Sequence, residues 1–365
     1  MIMTHSTTPW MIYGATGYTG DLIAREAVRR GQRPVLAGRN RDKVEKLGHE
    51  LGCPTRAFGL DTTESIAGNL RDVATVLHCA GPFSVTAEPM MDACLAACVP
   101  YLDITGEVDV IEAGAARDGR ARSAGITLMP AVGFDVVPSD CLAATLAAAL
   151  PGATQLELAF HASGGFSRGT AKTMVENLHR GGRIRRGGQL ISVPTAWQSL
   201  DVPFRSGKKS CVSIPWGDVA SAYYTTGIGD IVVYTSMHPS RIKQTRFVRP
   251  LLGVTKWPVI QRFLKDMIDR GAPGPAQDER ESSRSSLWGR VADFDGRQVT
   301  ATLETLGGYP LTVLTALAVV DKVLAGLGPK GFSTPARAFG ADFICSFPHT
   351  ELRVDNVVEP VAVTT

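Results

Sequence analysis

A chain of 365 residues, 44% hydrophobic and 20% charged, can bury a large core, and at roughly 100–200 residues per domain it should form about two domains. Its formal net charge of +3 is small and spread along the sequence, which gives no reason to expect a nucleic acid partner. The seven cysteines (Cys53, Cys79, Cys94, Cys98, Cys141, Cys211, Cys345) make no CxxC pair and no disulfide-like framework, and they read as small apolar residues of a reducing cytoplasm.

In chain order, the opening MIMTHSTTPW has neither the basic segment nor the apolar stretch of a secretion signal. MIYG, from Met11, is a short β-favouring run, and DLIAREAVRRG sets Leu22, Ile23, Ala27 and Val28 near one helical face before Gly31 closes it. Between them lies Gly14-Ala-Thr16-Gly17-Tyr18-Thr19-Gly20. The spacing is G-x-x-G-x-x-G rather than the commoner G-x-G-x-x-G, and it suits a backbone that turns tightly against a pyrophosphate at a helix N-terminus. The next strand, PVLAGRN, ends about 20 residues after the turn, where an NAD-binding protein places Asp or Glu on the ribose 2′-hydroxyl. Here Gly38-Arg39-Asn40 stands instead. An arginine can pair with a 2′-phosphate, and the missing carboxylate removes a repulsion, so NADP(H) is expected over NAD(H). The competing reading makes Arg39 a solvated arginine at a helix start, with Asn40 as its N-cap.

The alternation continues. DKVEKLGHELG reads as helix, TRAFGLD as strand, TTESIAGNL as a short helix and VATVLHCAGPF as a strongly apolar strand. Helix EPMMDACLAACV, strand PYLDITGE, helix VDVIEAGAARDGRARSAG and strand ITLMPAVGFD follow. Strands separated by helical stretches predict an α/β, doubly wound parallel sheet whose ligand lies along the carboxyl ends of the strands. Those ends carry the glycine turn and Arg39, then Asp61 for the adenine edge. Ala80, Gly81, Pro82 and Phe83 would form a floor by the nicotinamide ribose, with Gly106, Glu107 and Gly133 beyond.

After Pro138 the pattern changes. DCLAATLAAAL is a small-residue helix, ATQLELAFHAS alternates like a strand, and GTAKTMVENLHRGG returns to helical spacing. VSIPWGDVASAYYTTGIGDIVVYTSMH supplies β-favouring residues around a turn-like TTGIGD, and Gly271–Ser286 reads as a polar loop, either a lid or disordered. The apolar run LTVLTALAVVDKVLAGLG is interrupted by Asp321 and Lys322, so a core helix is expected over 311–327 rather than a membrane span. The division drawn from these patterns is 1–138 for the nucleotide, 139–310 for substrate and dimerisation, and 311–365 as a C-terminal helix and tail. Polar candidates for substrate in the second part are His161, Ser167, Arg168, Thr170, Lys172, Thr173, Tyr223, Tyr224 and Thr226, with Ser167, Arg168 and Thr170 put first.

GATGYTG, AGRN, CAGPF, YLDITGE and AGITLMPAVGFDVVPSD together resemble the saccharopine dehydrogenase-like oxidoreductases, in particular the branch with trans-acting enoyl reductases. The resemblance continues through SRGTAKTM, PWGDVASAYYTTGIGDIVVY, GYPLTVLTALAVVDKVLAG and GFSTPARAFGADF. It implies a Rossmann-type NADP-binding domain, a second α+β domain with a mixed sheet, and a possible homodimer paired through that sheet. In saccharopine-forming relatives an imine is reduced, and the matching segment places an aspartate near the amine, here Asp135. The Thr105-Gly106-Glu107 stretch departs from that amino-acid branch and follows the enoyl-reductase-like one.

Asp135 thus reads as an anchor for a cationic substrate, a proton relay, or a structural cap. Glu107 is a second acid, unless it serves the helix that follows it. Tyr223 is a third candidate, although it also reads as a core aromatic, as do Trp216 and Tyr224. The scattered histidines show neither a Ser-His-Asp pattern nor metal-ligand spacing. The expected activity is NADPH-dependent reduction of a polarised double bond, enoyl C=C or carbonyl, on an apolar or carrier-linked substrate. Saccharopine- or opine-type C=N chemistry and a non-catalytic NADP(H)-binding role are the alternatives.

Overall fold

Short, buried apolar triplets build the first sheet of the computed structural model, which describes residues 9–163, 165, 167–272 and 274–358. Most of the N-terminal segment read for a secretion signal, and Pro273 of the polar segment, lie outside these residues. The chain forms two compact units, one of residues 1–134 with 311–334 and the other of 135–310 with 335–365.

In the first unit, strands β1 (Met11–Tyr13), β2 (Val35–Gly38), β3 (Thr55–Ala57), β4 (Val76–His78), β5 (Tyr101–Asp103) and β6 (Thr127–Met129) line up in the order 3-2-1-4-5-6. All pairings are parallel, with Ile12 opposite both Leu36 and Leu77. Strands covered on both faces need continuous apolar runs, and β1, β2, β4, β5 and β6 are buried throughout while the edge strand β3 is not. Right-handed crossovers put the helices on opposite faces either side of the β1–β4 reversal, which opens a crevice at the carboxyl ends of these strands. Helix Tyr18–Arg29 buries Gly20, Ile23, Ala24 and Ala27. The single helix expected over 108–125 is broken at Arg117 into Val108–Ala116 and Asp118–Ser123.

The C-terminal segment is shared between the units. The core helix runs from Gly308 to Leu324, and strand Gly331–Phe332 then joins the first sheet in parallel beside β6. A two-residue strand carries no periodicity, so only its partner reveals it.

The second unit holds a nine-stranded mixed sheet. Its centre pairs Gln155–Ala162 in parallel with Asp230–Ser236 and antiparallel with Arg284–Ala292, which in turn pairs with Gln298–Leu306. The strands between Gly182 and Ser213 escaped the sequence reading, because the first of them is GRIRR and the last begins GKKS. Two further expectations are corrected. The stretch expected to be extended before TTGIGD contains helix Asp218–Thr226, in which small residues pack closely and Gly227 ends the helix at φ 75°. The polar segment expected to be a loop contains helix Gln277–Ser282, where Arg280 donates to Pro275 O and Ser282 to Asp278 O, and Arg284 already begins a strand.

Candidate functional site

The turn after β1 brings main chain close against main chain. Gly14 has φ 87°, and a Cβ there would lie 2.6 Å from Ala80 N; a Cβ on Gly20 would lie 2.3 Å from Gly14 O. Neither atom can yield, since both are main chain. Gly14 N and Ala15 N both donate to Ala37 O, at 2.8 and 3.1 Å, tying the turn to the end of β2. Helix Tyr18–Arg29 begins at Gly17 with no side-chain cap, so its N-terminal dipole faces the turn. Arg39, exposed, follows β2, and Asp61 lies beyond β3. Both act electrostatically on Tyr13, whose hydroxyl donates to Phe58 O at 3.1 Å and whose burial pushes its pKa up to about 12.

The carboxyl ends of β4, β5 and β6 are joined by a buried polar relay. Asp103, fully buried, accepts from Tyr101 Oη at 2.6 Å, Thr105 N at 2.9 Å and Ala131 N at 2.8 Å. Burial pushes its carboxyl up to about 6, against the pull of those three donors. Thr105 Oγ1 accepts from Glu107 N at 3.0 Å, and the Glu107 carboxylate accepts from Phe83 N and Ser84 N at 3.0 and 3.1 Å. Glu107 therefore caps helix Phe83–Ala97, which is not the helix that follows it in sequence. On the β4 side, Thr86 Oγ1 donates to Ala80 O at 2.6 Å and lies 3.0 Å from His78 Nε2. That arrangement makes His78 Nε2 the donor and leaves buried Nδ1 without a partner among the described residues, while burial pushes the imidazole pKa down to about 3. Gly133 packs 3.0 Å, at its Cβ position, from Thr312 Cγ2, whose hydroxyl accepts from Phe134 N at 2.9 Å.

The second unit gathers three carboxyls. Asp135 is half-buried, its carboxylate makes no hydrogen bond among the described residues, and desolvation pushes it up to about 7. Its carbonyl accepts from Trp216 Nε1 at 2.7 Å. Asp140, fully buried, accepts from Thr225 Oγ1 at 2.5 Å and Ala336 N at 2.9 Å. Asp218 is fully buried on the facing helix, and neither of its oxygens has a hydrogen-bond partner among the described residues. Ser139 lies near enough to favour its ionised form but donates to Val136 O, and the Ser221 hydroxyl, one helical turn on, is also buried without a partner. Burial, reinforced by Asp140 and Asp135, holds the Asp218 carboxyl well above the usual range.

The family model of the saccharopine dehydrogenase NADP binding domain matches residues 10–129. This part of the chain is similar to that domain. The chain is 32% identical over 147 residues to a protein of Arabidopsis thaliana named as a mitochondrial saccharopine dehydrogenase-like oxidoreductase, over 36% of this chain and 32% of that one. It is 33% identical over 188 residues to a protein of Mycobacterium tuberculosis named as a trans-acting enoyl reductase, over 46% of this chain and 43% of that one. The chain thus matches less than half the length of either relative. Apo saccharopine dehydrogenase (L-Glu forming) from Saccharomyces cerevisiae shares the fold, with a TM-score of 0.63 and 10% identity over 95% of this chain and 100% of that one.

The NADP-binding domain brings Gly14, Thr16, Gly17, Tyr18, Thr19, Gly20, Arg39, Ala80–Phe83, Gly106 and Gly133 to one end of its sheet. The glycine packing fits a dinucleotide site, because without side chains at Gly14 and Gly20 the turn closes tightly on its neighbours at an uncapped helix N-terminus. Other candidates are engaged elsewhere. Asn40 caps helix Arg41–Leu51, accepting from Lys43 N at 2.9 Å. Tyr223 lies on helix Asp218–Thr226 with its ring 4.2 Å from the guanidinium carbon of buried Arg185. Ser167 caps helix Arg168–Asn177, receives Thr170 N at 3.3 Å and donates its own N–H to Tyr309 Oη at 2.5 Å, and Arg168 donates to Gly271 O. Asp103, His78, Thr86 and Asp218 were not singled out from sequence, and Thr105 entered only as part of the Thr105-Gly106-Glu107 stretch. An acid between apolar neighbours, as in YLDI and GDVA, is the signal that marks two of them. No group of three or more His, Cys, Asp or Glu among the described residues is arranged to hold a metal ion.

Replacing Glu107 by Ala should cost about 1 kcal/mol, the usual scale of a lost N-terminal cap, read as a lower Tm, and should weaken NADPH binding while leaving the pH profile of turnover in place. Burial raises the Asp218 carboxyl in the folded chain and not in the unfolded one, so stability falls as pH rises from about 4, the ordinary carboxylate value. Asp218→Asn should therefore raise Tm at about pH 8, with the gain shrinking toward about pH 4, in thermal melts across that range.

Proposed function

We propose that this protein is an NADPH-dependent oxidoreductase that reduces a polarised double bond, an enoyl C=C or a carbonyl, on an apolar or carrier-linked substrate. The observation that carries the reading is the pairing, in one chain, of an NADP-binding domain with Asp135, a half-buried carboxyl pushed up to about 7 with no hydrogen-bond partner among the described residues. The resemblance to a relative named as an enoyl reductase supports the C=C branch. Bound NADPH supplies a hydride. The chain's own residues do the rest: the glycine turn cradles the pyrophosphate, Arg39 meets the 2′-phosphate, and Glu107 fixes the Phe83 helix start that borders the Ala80–Phe83 floor. Asp135 holds the proton that neutralises the charge left by hydride addition, and a carboxyl with a pKa near the working pH suits that task. A homodimer paired through the nine-stranded sheet is the proposed assembly.

Three measurements test this reading. Arg39→Ala should lose roughly 1–3 kcal/mol of NADPH affinity by calorimetry and almost none for NADH; equal losses for both would remove the 2′-phosphate role. A general acid works in its protonated form, so turnover should decline as pH rises through about 7. Asp135→Asn should abolish that limb and lower kcat by roughly 10²–10⁴ while NADPH still binds; an unchanged profile would make Asp135 structural. Screening NADPH with enoyl thioesters, ketones and imine-forming pairs of an amino acid and an oxo acid separates C=C, C=O and C=N reduction, and NADPH binding without reduction of any acceptor points to a non-catalytic role. Light scattering that returns a monomer mass would remove the dimer.

A further inference from the structure

We propose that the segment from Pro239 to Arg270 docks this protein on an anionic lipid surface. Helix Pro258–Asp269 buries none of its residues fully, yet half of them are apolar. They form two neighbouring stripes at four-residue spacing. Ile260, Leu264 and Ile268 are half-buried, and the helix packs there on Arg168–Asn177. Val259, Phe263 and Met267 are 77%, 62% and 55% exposed. A second apolar stripe at helical spacing has a period only if something covers it.

The preceding elements also expose apolar side chains. The 3-10 segment Arg249–Lys256 packs against this helix and against helix Pro239–Val248. From them Leu251 at 66%, Trp257 at 58% and Phe247 at 87% exposure stand in solvent. Large exposed apolar side chains concentrated in consecutive packed elements mark an interaction surface.

Charge chooses the partner. Between residues 239 and 270 the sequence has eight Arg or Lys and two Asp, a balance of +6 from 8 − 2. Asp269 pairs with Lys172 at 2.6 Å and Lys265 with Glu176 at 2.5 Å, so neither adds to the outward field. Arg241, Lys243, Lys256, Arg262 and Arg270 make no ion pair among the described residues. A second copy paired on this face about a two-fold axis would press the basic set against itself. An anionic bilayer instead takes the aromatic and aliphatic side chains at its acyl boundary and the cations at its headgroups. No helix among the described residues is long and apolar enough to span a membrane, so the contact would lie in the interfacial plane.

The test is sedimentation of the full-length protein with vesicles of phosphatidylcholine alone or with about 30% phosphatidylglycerol. Binding should be at least about tenfold stronger to the anionic vesicles and should fall as salt rises from about 0.05 to about 0.5 M. The double variant Phe263→Ser, Met267→Ser should lose at least about tenfold, with Tm and NADPH affinity unchanged because both side chains are exposed. If that variant does not fold, the unaltered chain still decides: brominated phosphatidylcholine in the anionic vesicles should quench tryptophan fluorescence, and Trp257→Phe should remove that quenching. Absence of binding to anionic vesicles overturns the proposal, as does binding that leaves Trp257 unquenched. A dimer in solution that the double variant dissociates would assign the face to a second copy, and capture of an acidic protein with no affinity for vesicles would assign it to a protein partner; either result overturns the lipid reading.

Discussion

The NADP-binding domain depends on one close approach, the main chain of Gly14 against the main chain of Cys79 and Ala80. β1 and β4 are neighbours in the sheet, and their ends must diverge to admit a ligand while the turns after them stay in contact. Any Cβ at Gly14 would prise these turns apart, because a backbone atom cannot rotate away as a side chain can. The Gly20 contact with Gly14 O imposes the same condition one helical turn later. From this contact follow the position of the helix N-terminus, the direction in which β2 delivers Arg39 and the placing of the Ala80–Phe83 loop.

A polar relay holds that loop where hydrophobic packing could not. Asp103, Thr105 and Glu107 alternate along the end of β5, and each fixes a different piece of main chain: Ala131, Glu107 N, and the start of the Phe83 helix. Thr86 with His78 secures the same loop from the β4 side. Loops at a ligand edge have little apolar surface to bury, so directional hydrogen bonds replace area as the source of order. The buried carboxyl of Asp103 is costly to desolvate, and its three donors offset that cost.

The carboxyls of the second unit show how one residue type takes different roles. Asp140 is fully buried and satisfied, which makes it a fastener between helix Val137–Ala149 and the segment at Ala336. Asp218 is fully buried without a hydrogen-bond partner among the described residues, and burial favours its neutral form. Asp135 is half-buried and open, with a carboxyl poised close to neutrality. Solvent access and donor supply distinguish them, and neither property can be read from the letter D.

The sequence by itself determined the alternation of strands and helices in the NADP-binding domain, the glycine turn, and the arginine where a carboxylate would select NAD. Those features are local: period, glycine spacing and a fixed offset from the turn are all counted along the chain. It also placed the core helix near residue 311 and the mixed sheet through a family resemblance. Tertiary structure alone decided that Glu107 caps a helix 24 residues behind it and that Gly331–Phe332 completes the first sheet. Only the fold shows that Ser167 and Thr170 bond to Tyr309, that Tyr223 lies under Arg185, and that Asp218 has no donor. Each of these depends on which groups meet across long sequence separation and on how much water reaches them. Periodicity reports which face of an element turns inward, but the partner waiting there belongs to another part of the chain.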